Sequence, residues 1–229
     1  AEVAHPDATT RRLQGFADYW RSTVGKSDEA VAEMVRQDRI DILVDLAGHT
    51  DKNRLLVFAR KPAPVQLTWL GYPNTTGLKT IDYRFTDVHA DPLGAADRLH
   101  SEKLVRLPRG FLCYRPPQDS PPVGNLPVNT LGSITFASFN ANAKVTPEVV
   151  ALWAGILSAV PGARLLLKAR SLSDAATSDR YLSLFVKHGI PSETINLLHW
   201  IPSKSSHLDL YNQVDIALDP FPYNGTTTT

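Results

Sequence analysis

At 229 residues, with 43% hydrophobic and 21% charged side chains, the chain has the makeup of a globular protein long enough for two domains. Its net charge of +1 gives no global field toward nucleic acid or an anionic membrane, so an anionic ligand needs a local site. The single cysteine, Cys113, excludes an internal disulfide, no apolar run reaches membrane-spanning length, and the opening AEVAHPDATTRR lacks a signal-peptide core; a cytoplasmic setting is the expectation.

Ser27 opens a predicted helix, SDEAVAEMVRQD, with acidic residues in its first turn and Ala30, Val31, Met34 and Val35 on one face. DILVDLAG then reads as a buried parallel strand, NRLLVFAR as a short helix halted by Lys61-Pro62, and VQLTWLG as the next strand, opening into YPNTTG. IDYRFTD and KLVRLP continue as strands. The Pro-, Asn- and Gly-rich stretch from Pro116 to Gly132 offers little to pack and reads as a linker.

Beyond it the alternation restarts with SITFASF (strand), TPEVVALWAGILSAVP (helix, Pro147 in its first turn) and ARLLLKA (strand). SDAATSDRYLSLFVKHG (helix, Gly189 just past its end), TINLLHW (strand), SSHLDLYNQV (short helix) and DIALD (strand) follow. Strands alternating with helices predict a doubly wound α/β sheet on each side of the linker, with residues 1–115 before it and 133–229 after it.

Ligands of open α/β sheets bind beyond the carboxyl ends of the strands. That rule selects AGHT (47–50), LGYPNTTG (70–77), SFNANAK (138–144), HWIPSKSSH (199–207) and DPFPYNGTTTT (219–229). In the last, Gly225 followed by threonines reads either as a helix start whose amides and hydroxyls face a phosphate, or as a plain terminus. Lys144, between a strand and the helix at Pro147, can set a compact positive charge against a phosphate leaving group, and also suits a solvated surface. Lys204 and His207, three apart on one helix face, can grip a nucleoside or simply cap that turn. His49 sits where an acid–base residue belongs, yet a lone histidine is more often a hydrogen-bonded structural group. Gly71 lets backbone approach a ligand, or merely forms a tight turn. G-x-G-x-x-G and Walker signatures are absent, and the scattered histidines and carboxylates offer no metal-ligand spacing.

The joint order of these signals carries more than any one of them. The run ILVDLAGHT…RLLVFARKPAPVQLTWLGYPNTTG…IDYRFTD…SEKLVRLP, continued by FNANAK and IPSKSSHLDLYNQVDIALDPFPYNGTTTT, resembles the catalytic region of the O-linked N-acetylglucosamine transferase family. That family includes SPINDLY-type protein O-fucosyltransferases and bacterial proteins with tetratricopeptide repeats. The likeness runs from about Asp7 to the end, and the PAPVQ-x-x-WLGYP-x-T-x-G block is its most specific part.

The resemblance implies an α/β fold of the GT-B type, two Rossmann-like lobes with the sugar nucleotide mostly on the C-terminal one. It further implies that the start of the N-terminal lobe and the end of the C-terminal lobe are missing from this stretch. The implied activity is inverting, metal-independent transfer of a sugar, foremost GlcNAc from UDP-GlcNAc, to Ser or Thr of proteins, with GDP-fucose as the other donor and a non-catalytic binding module as the alternative. No cofactor, nucleic acid or membrane partner is implied. Lys144 matches the lysine at the donor diphosphate and is the candidate catalytic residue. Lys204 and His207 match the pair at the nucleoside, Pro202 the neighbouring position at the base, and Leu70 and Gly71 the pair beside the sugar. Thr227 and Thr228 match two threonines under the diphosphate, with Thr226 in place of a histidine of animal members. Ala141 and Leu210 depart in the same way from a glutamine and an arginine.

Overall fold

The structure is a computed structural model and describes residues 3–225. The chain divides into two compact units, Ala1–Cys113 and Tyr114–Thr229.

The first unit begins with α1 (Ala8–Gln14), capped by Asp7, whose carboxylate accepts from the Thr10 amide at 2.7 Å while Thr10 Oγ1 accepts from the Asp7 amide. The sequence pattern did not show this helix, because threonine takes the place of the Glu or Gln that usually completes such a box. In α2 (Asp28–Gln37) the Ser27 hydroxyl accepts from the Ala30 amide, and Asp28 and Glu29 favour the positive end of the helix. Its buried face carries Val31 and Ala32, whereas Ala30 of the predicted face is exposed. Arg54, just before α3 (Leu55–Ala59), holds Asp28 Oδ1 at 2.9 Å and the carbonyls of Thr23 and Lys26, tying the first turn of α2 to the start of α3.

Four parallel strands, β1 (Ile42–Asp45), β2 (Val65–Thr68), β3 (Tyr83–Thr86) and β4 (Lys103–Arg106), lie in the order β1-β2-β3-β4. Val31, Ala32, Leu55, Val57, Phe58 and Ile81 pack into the apolar core, with Leu43 against them. Strict alternation with α-helices fails here. Only α3 intervenes between β1 and β2; β2 reaches β3 by a loop, and β3 reaches β4 by a loop with one 3-10 turn, Ala96–Leu99. Buried ion and hydrogen-bond partners, described below, hold those loops in place of a packed helix.

In the second unit, β5 (Thr135–Ser138), β6 (Arg164–Lys168), β7 (Ile195–Leu198) and β8 (Ile216–Ala217) form a parallel sheet in the order β7-β6-β5-β8. Here the predicted helical crossovers are present. The first, α5 (Pro147–Ala159), starts at Pro147 under a Thr146 cap and buries Val149, Val150, Trp153, Ala154 and Leu157. In α6 (Ala175–Lys187), Asp174 caps the Thr177 amide at 2.8 Å, Tyr181 and Phe185 are buried, and Gly189 takes the left-handed conformation past the end at φ 79°. Both helices pack with Phe136, Leu165 and Leu167 in one core. α7 (Lys204–Asp209) continues as a 3-10 turn, Leu210–Gln213, and leads into β8.

The stretch from Pro116 to Gly132 lies in this second unit and is tied to it. Asn212 Oδ1 accepts from the Gly124 amide at 2.8 Å, and Asp215 Oδ1 accepts from the Val128 amide at 2.9 Å at the start of α4 (Val128–Leu131). Because β5 pairs with β6 on one side and β8 on the other, the connections diverge beside it, leaving a crevice between the carboxyl ends of β5 and β8.

Candidate functional site

Sequence-predicted site residues fall at the carboxyl edge of each sheet, and the two edges differ in construction. In the first unit, the buried carboxylate of Asp45, the last residue of β1, accepts from the amides of Ala47 (3.1 Å) and Gly48 (2.9 Å) and from Thr68 Oγ1 (2.7 Å). This fixes the AGHT turn against β2. A Cβ on Gly71 would stand 2.0 Å from the Leu46 carbonyl oxygen, and one on Gly48 2.3 Å from Tyr72 Cβ, so the turns after β1 and β2 meet with no room for a side chain. Leu70, the neighbour of Gly71, takes φ 68°, an uncommon conformation for a residue with a Cβ.

The rest of LGYPNTTG is clamped from beneath. Arg84, 2% exposed, donates to the carbonyls of Tyr72 (2.8 Å) and Asn74 (3.1 Å) and lies 3.7 Å from Asp91. Burial pulls the Arg84 guanidinium below the usual arginine range, and Asp91 and Glu102 oppose that shift. Glu102 accepts from Thr75 Oγ1 at 2.6 Å, from the Thr76 amide at 2.7 Å and from Thr76 Oγ1. Burial alone would raise this carboxyl, but the threonine hydrogen bonds outweigh it and hold it below the usual carboxylate range. His49 Nε2 lies 2.9 Å from the Thr76 carbonyl, with its ring edge-on to Tyr72, which makes it a brace for the loop.

The second edge carries cations and unpaired polar atoms. Lys144 lies in the 3-10 turn Asn142–Lys144 just before α5; its ammonium donates to the Gly225 carbonyl at 2.5 Å and sits 4.5 Å from the centre of the Tyr223 ring. Asp219, following β8, accepts from Asn140 Nδ2 (3.1 Å) and from the Gly225 amide (2.9 Å), joining the loop after β5 to the Asn-Gly turn. Ser138 Oγ, Asn140 Oδ1 and Asn142 Nδ2 are buried at this edge without a hydrogen-bond partner among the described residues. Such atoms are costly unless something pairs with them. Ser138, Phe139, Asn140, Tyr211, Leu218 and Asp219 line a pocket here.

Beside it, Lys168 at the end of β6 lies 2.8 Å from His207 Nδ1, and Phe139 packs against both His207 and Tyr211, at ring-centre distances of 5.9 and 4.8 Å. Burial lowers the pKa of Lys168; burial and then the Lys168 charge lower that of His207.

Within the second unit, the predicted residues Lys144 and His207 therefore flank the loop Phe139–Asn140. Lys204 begins α7 and is exposed, as is Pro202 two residues before it, so neither joins the buried cluster. Leu70 and Gly71 lie in the first unit. Thr226, Thr227 and Thr228 lie outside the described residues. Sequence reasoning marked loops that line this pocket but did not single out Phe139, Asn140, Lys168, Tyr211 and Asp219. Lys168 was open to the reasoning that found Lys144, being a lysine closing an apolar strand. No group of three or more His, Cys, Asp or Glu is arranged to hold a metal among the described residues, and no helix among them is long and apolar enough to cross a membrane.

Residues 11–115 match the family model "Glycosyl transferase family 41". Over its whole length the chain is 46% identical to a tomato (Solanum lycopersicum) protein described as a probable UDP-N-acetylglucosamine–peptide N-acetylglucosaminyltransferase SPINDLY, of which it covers 25%. Over 95% of its length it is 33% identical to an Arabidopsis thaliana protein with the same description and the name SEC, covering 23% of it. The chain thus spans about a quarter of the length of these relatives. A mutant O-GlcNAc transferase from Thermobaculum terrenum superimposes with a TM-score of 0.92 at 44% identity, over 98% of this chain and 42% of that one. With two parallel sheets each flanked by helices, the fold is α/β of the GT-B type, as the sequence led one to expect. The chain belongs to the O-linked N-acetylglucosamine transferase and SPINDLY family, glycosyl transferase family 41.

Proposed function

We propose that this chain is part of an inverting glycosyltransferase that moves a sugar from a nucleoside diphosphate to Ser or Thr hydroxyls of proteins. UDP-GlcNAc is the first choice of donor and GDP-fucose the alternative. The observation that carries the reading is the carboxyl edge of the second sheet, where the Lys144 ammonium meets the Asn-Gly turn beside three unpaired buried polar atoms. An ammonium has three hydrogens, and the Gly225 carbonyl takes one, so two remain for diphosphate oxygens. As the anomeric bond breaks, negative charge grows on the departing diphosphate. Lys144, with the amides and hydroxyls at Thr227 and Thr228, stabilises that charge where other transferases use a metal ion. Leu70 and Gly71 belong beside the sugar; His207, Lys204 and Pro202 belong at the nucleoside. A metal-free reaction in the cytoplasm is part of the same reading.

A non-catalytic sugar-nucleotide-binding module is the second reading, favoured by Ala141 and Thr226, which lack the side chains that animal family members use there. The full-length protein, incubated with an acceptor peptide and either UDP-GlcNAc or GDP-fucose, separates the two. Transfer from one donor supports the enzyme and names the donor. Binding of both nucleotides without transfer or hydrolysis supports the module.

A further inference from the structure

The Lys168–His207 contact has consequences of its own. Lys168 closes β6 and His207 lies on α7, 39 residues later, yet Nζ and Nδ1 are 2.8 Å apart. Phe139 and Tyr211 hold the imidazole between rings at 5.9 Å each, and Lys168 Nζ stands 5.8 Å from the centre of the Phe139 ring. No carboxylate pairs with Lys168 among the described residues. An ammonium has only donors, so a ring nitrogen at this distance must be an acceptor. Of the two groups lysine holds the proton, since its ordinary value lies about four units above that of histidine.

We infer that Lys168 is a positioning residue for nucleoside recognition, donating to His207 Nδ1 and thereby fixing the neutral tautomer whose Nε2–H is the donor offered to a base carbonyl. This rests on the nucleotide reading above. Both candidate donors carry such a carbonyl, on uracil or on guanine. The ring cannot also accept from an amino group through Nδ1, which Lys168 occupies. Among groups facing the imidazole, Lys168 from β6 is the charged one; Phe139 from the loop after β5 is apolar and Tyr211 from the following turn is neutral, its burial raising its pKa. Burial, and then the like charge of Lys168 2.8 Å away, oppose protonation of His207, so the ring stays neutral below the ordinary histidine value of 6.5.

Nitrogen-15 NMR of the imidazole in the 229-residue chain, with the signal assigned through H207Q, tests this without any ligand. The wild type should carry hydrogen on Nε2 alone and keep that state below pH 6.5. In Lys168→Met the tautomers should mix and the titration move up toward the ordinary value, whereas Lys168→Arg, a donor with the same charge, should restore the wild-type pattern. UDP affinity should fall about three- to tenfold in the Met variant and recover in the Arg variant. Hydrogen on Nδ1 in the wild type, or a Met variant with an unchanged tautomer and titration, overturns the inference. If the tautomer shifts as expected but neither UDP nor GDP binds any form, the Lys168–His207 contact stands as a purely structural one and the nucleotide reading falls instead. Amide spectra of each variant, compared with wild type, establish that the fold is retained.

Discussion

The two carboxyl edges contrast. In the first unit, Asp45, Arg84 and Glu102 bond to the chain's own loops and Arg84 is balanced by Asp91, although Gln66 Oε1, Thr80 Oγ1, Arg84 Nε and His100 Nε2 are buried without a hydrogen-bond partner among the described residues; the glycine positions leave no space between those loops. In the second, Lys144 and Lys168 bring positive charge with no carboxylate partner among the described residues, and Ser138, Asn140 and Asn142 keep polar atoms unpaired among them. The same parallel α/β logic thus yields one edge consolidated as a scaffold and one poised for an anion. Charge that is balanced internally reports stability; charge left unbalanced beside orphaned polar atoms points to a ligand.

The sharpest way to break this contrast is at Lys144. In the full-length protein, Lys144→Ala should lower sugar transfer by about 10²–10³, the usual cost of one donor to a developing oxyanion. Steady-state rates with saturating donor measure it. Next comes Gly71→Ala, whose methyl group collides with the Leu46 carbonyl. The first unit should lose about 3 kcal/mol in denaturant unfolding, since neither backbone can yield.

Glu102→Gln should cost about 2 kcal/mol by weakening a buried charge-assisted cluster with Thr75 and Thr76. Its pH signature follows from the sign of the shift. The carboxyl lies lower in the folded chain than its ordinary 4.5, so its contribution is complete above 4.5 and fades as pH falls through the lower folded value. Unfolding midpoints measured across that acid range should fall less steeply in the Gln variant. The smallest effect belongs to Asp219→Asn, which weakens the acceptor holding the Gly225 amide and Asn140. Nucleotide affinity should drop about fivefold with little change in unfolding midpoint, a result read by titration calorimetry.

Local pattern reveals what is local. The inner strands could be read because aliphatic runs such as RLLLK bury together, and α5 and α6 because Thr146, Pro147, Asp174 and Gly189 mark their ends; ILVD, expected to be buried, is instead an edge strand that exposes Ile42 and Val44 and buries only Asp45. The loops of the site were readable as strand endings with glycine or asparagine. The pairings that distinguish the two edges were not. Glu102 meets Thr76 across 26 residues, Lys168 meets His207 across 39, and Asp219 meets Asn140 across 79. No periodicity encodes such contacts; they exist only once the sheet order brings the strand ends side by side.

The most direct test of the central claim is a titration of UDP, then GDP, into the isotope-labelled 229-residue chain, followed by amide NMR. Binding at the second edge predicts shifts at Asn140, Lys144, Lys168, His207 and Gly225, while the amides of Asp45, Thr76 and Glu102 hold still. Shifts confined to the first unit, or none at the carboxyl ends of β5, β6 and β8 with either nucleotide, would contradict it.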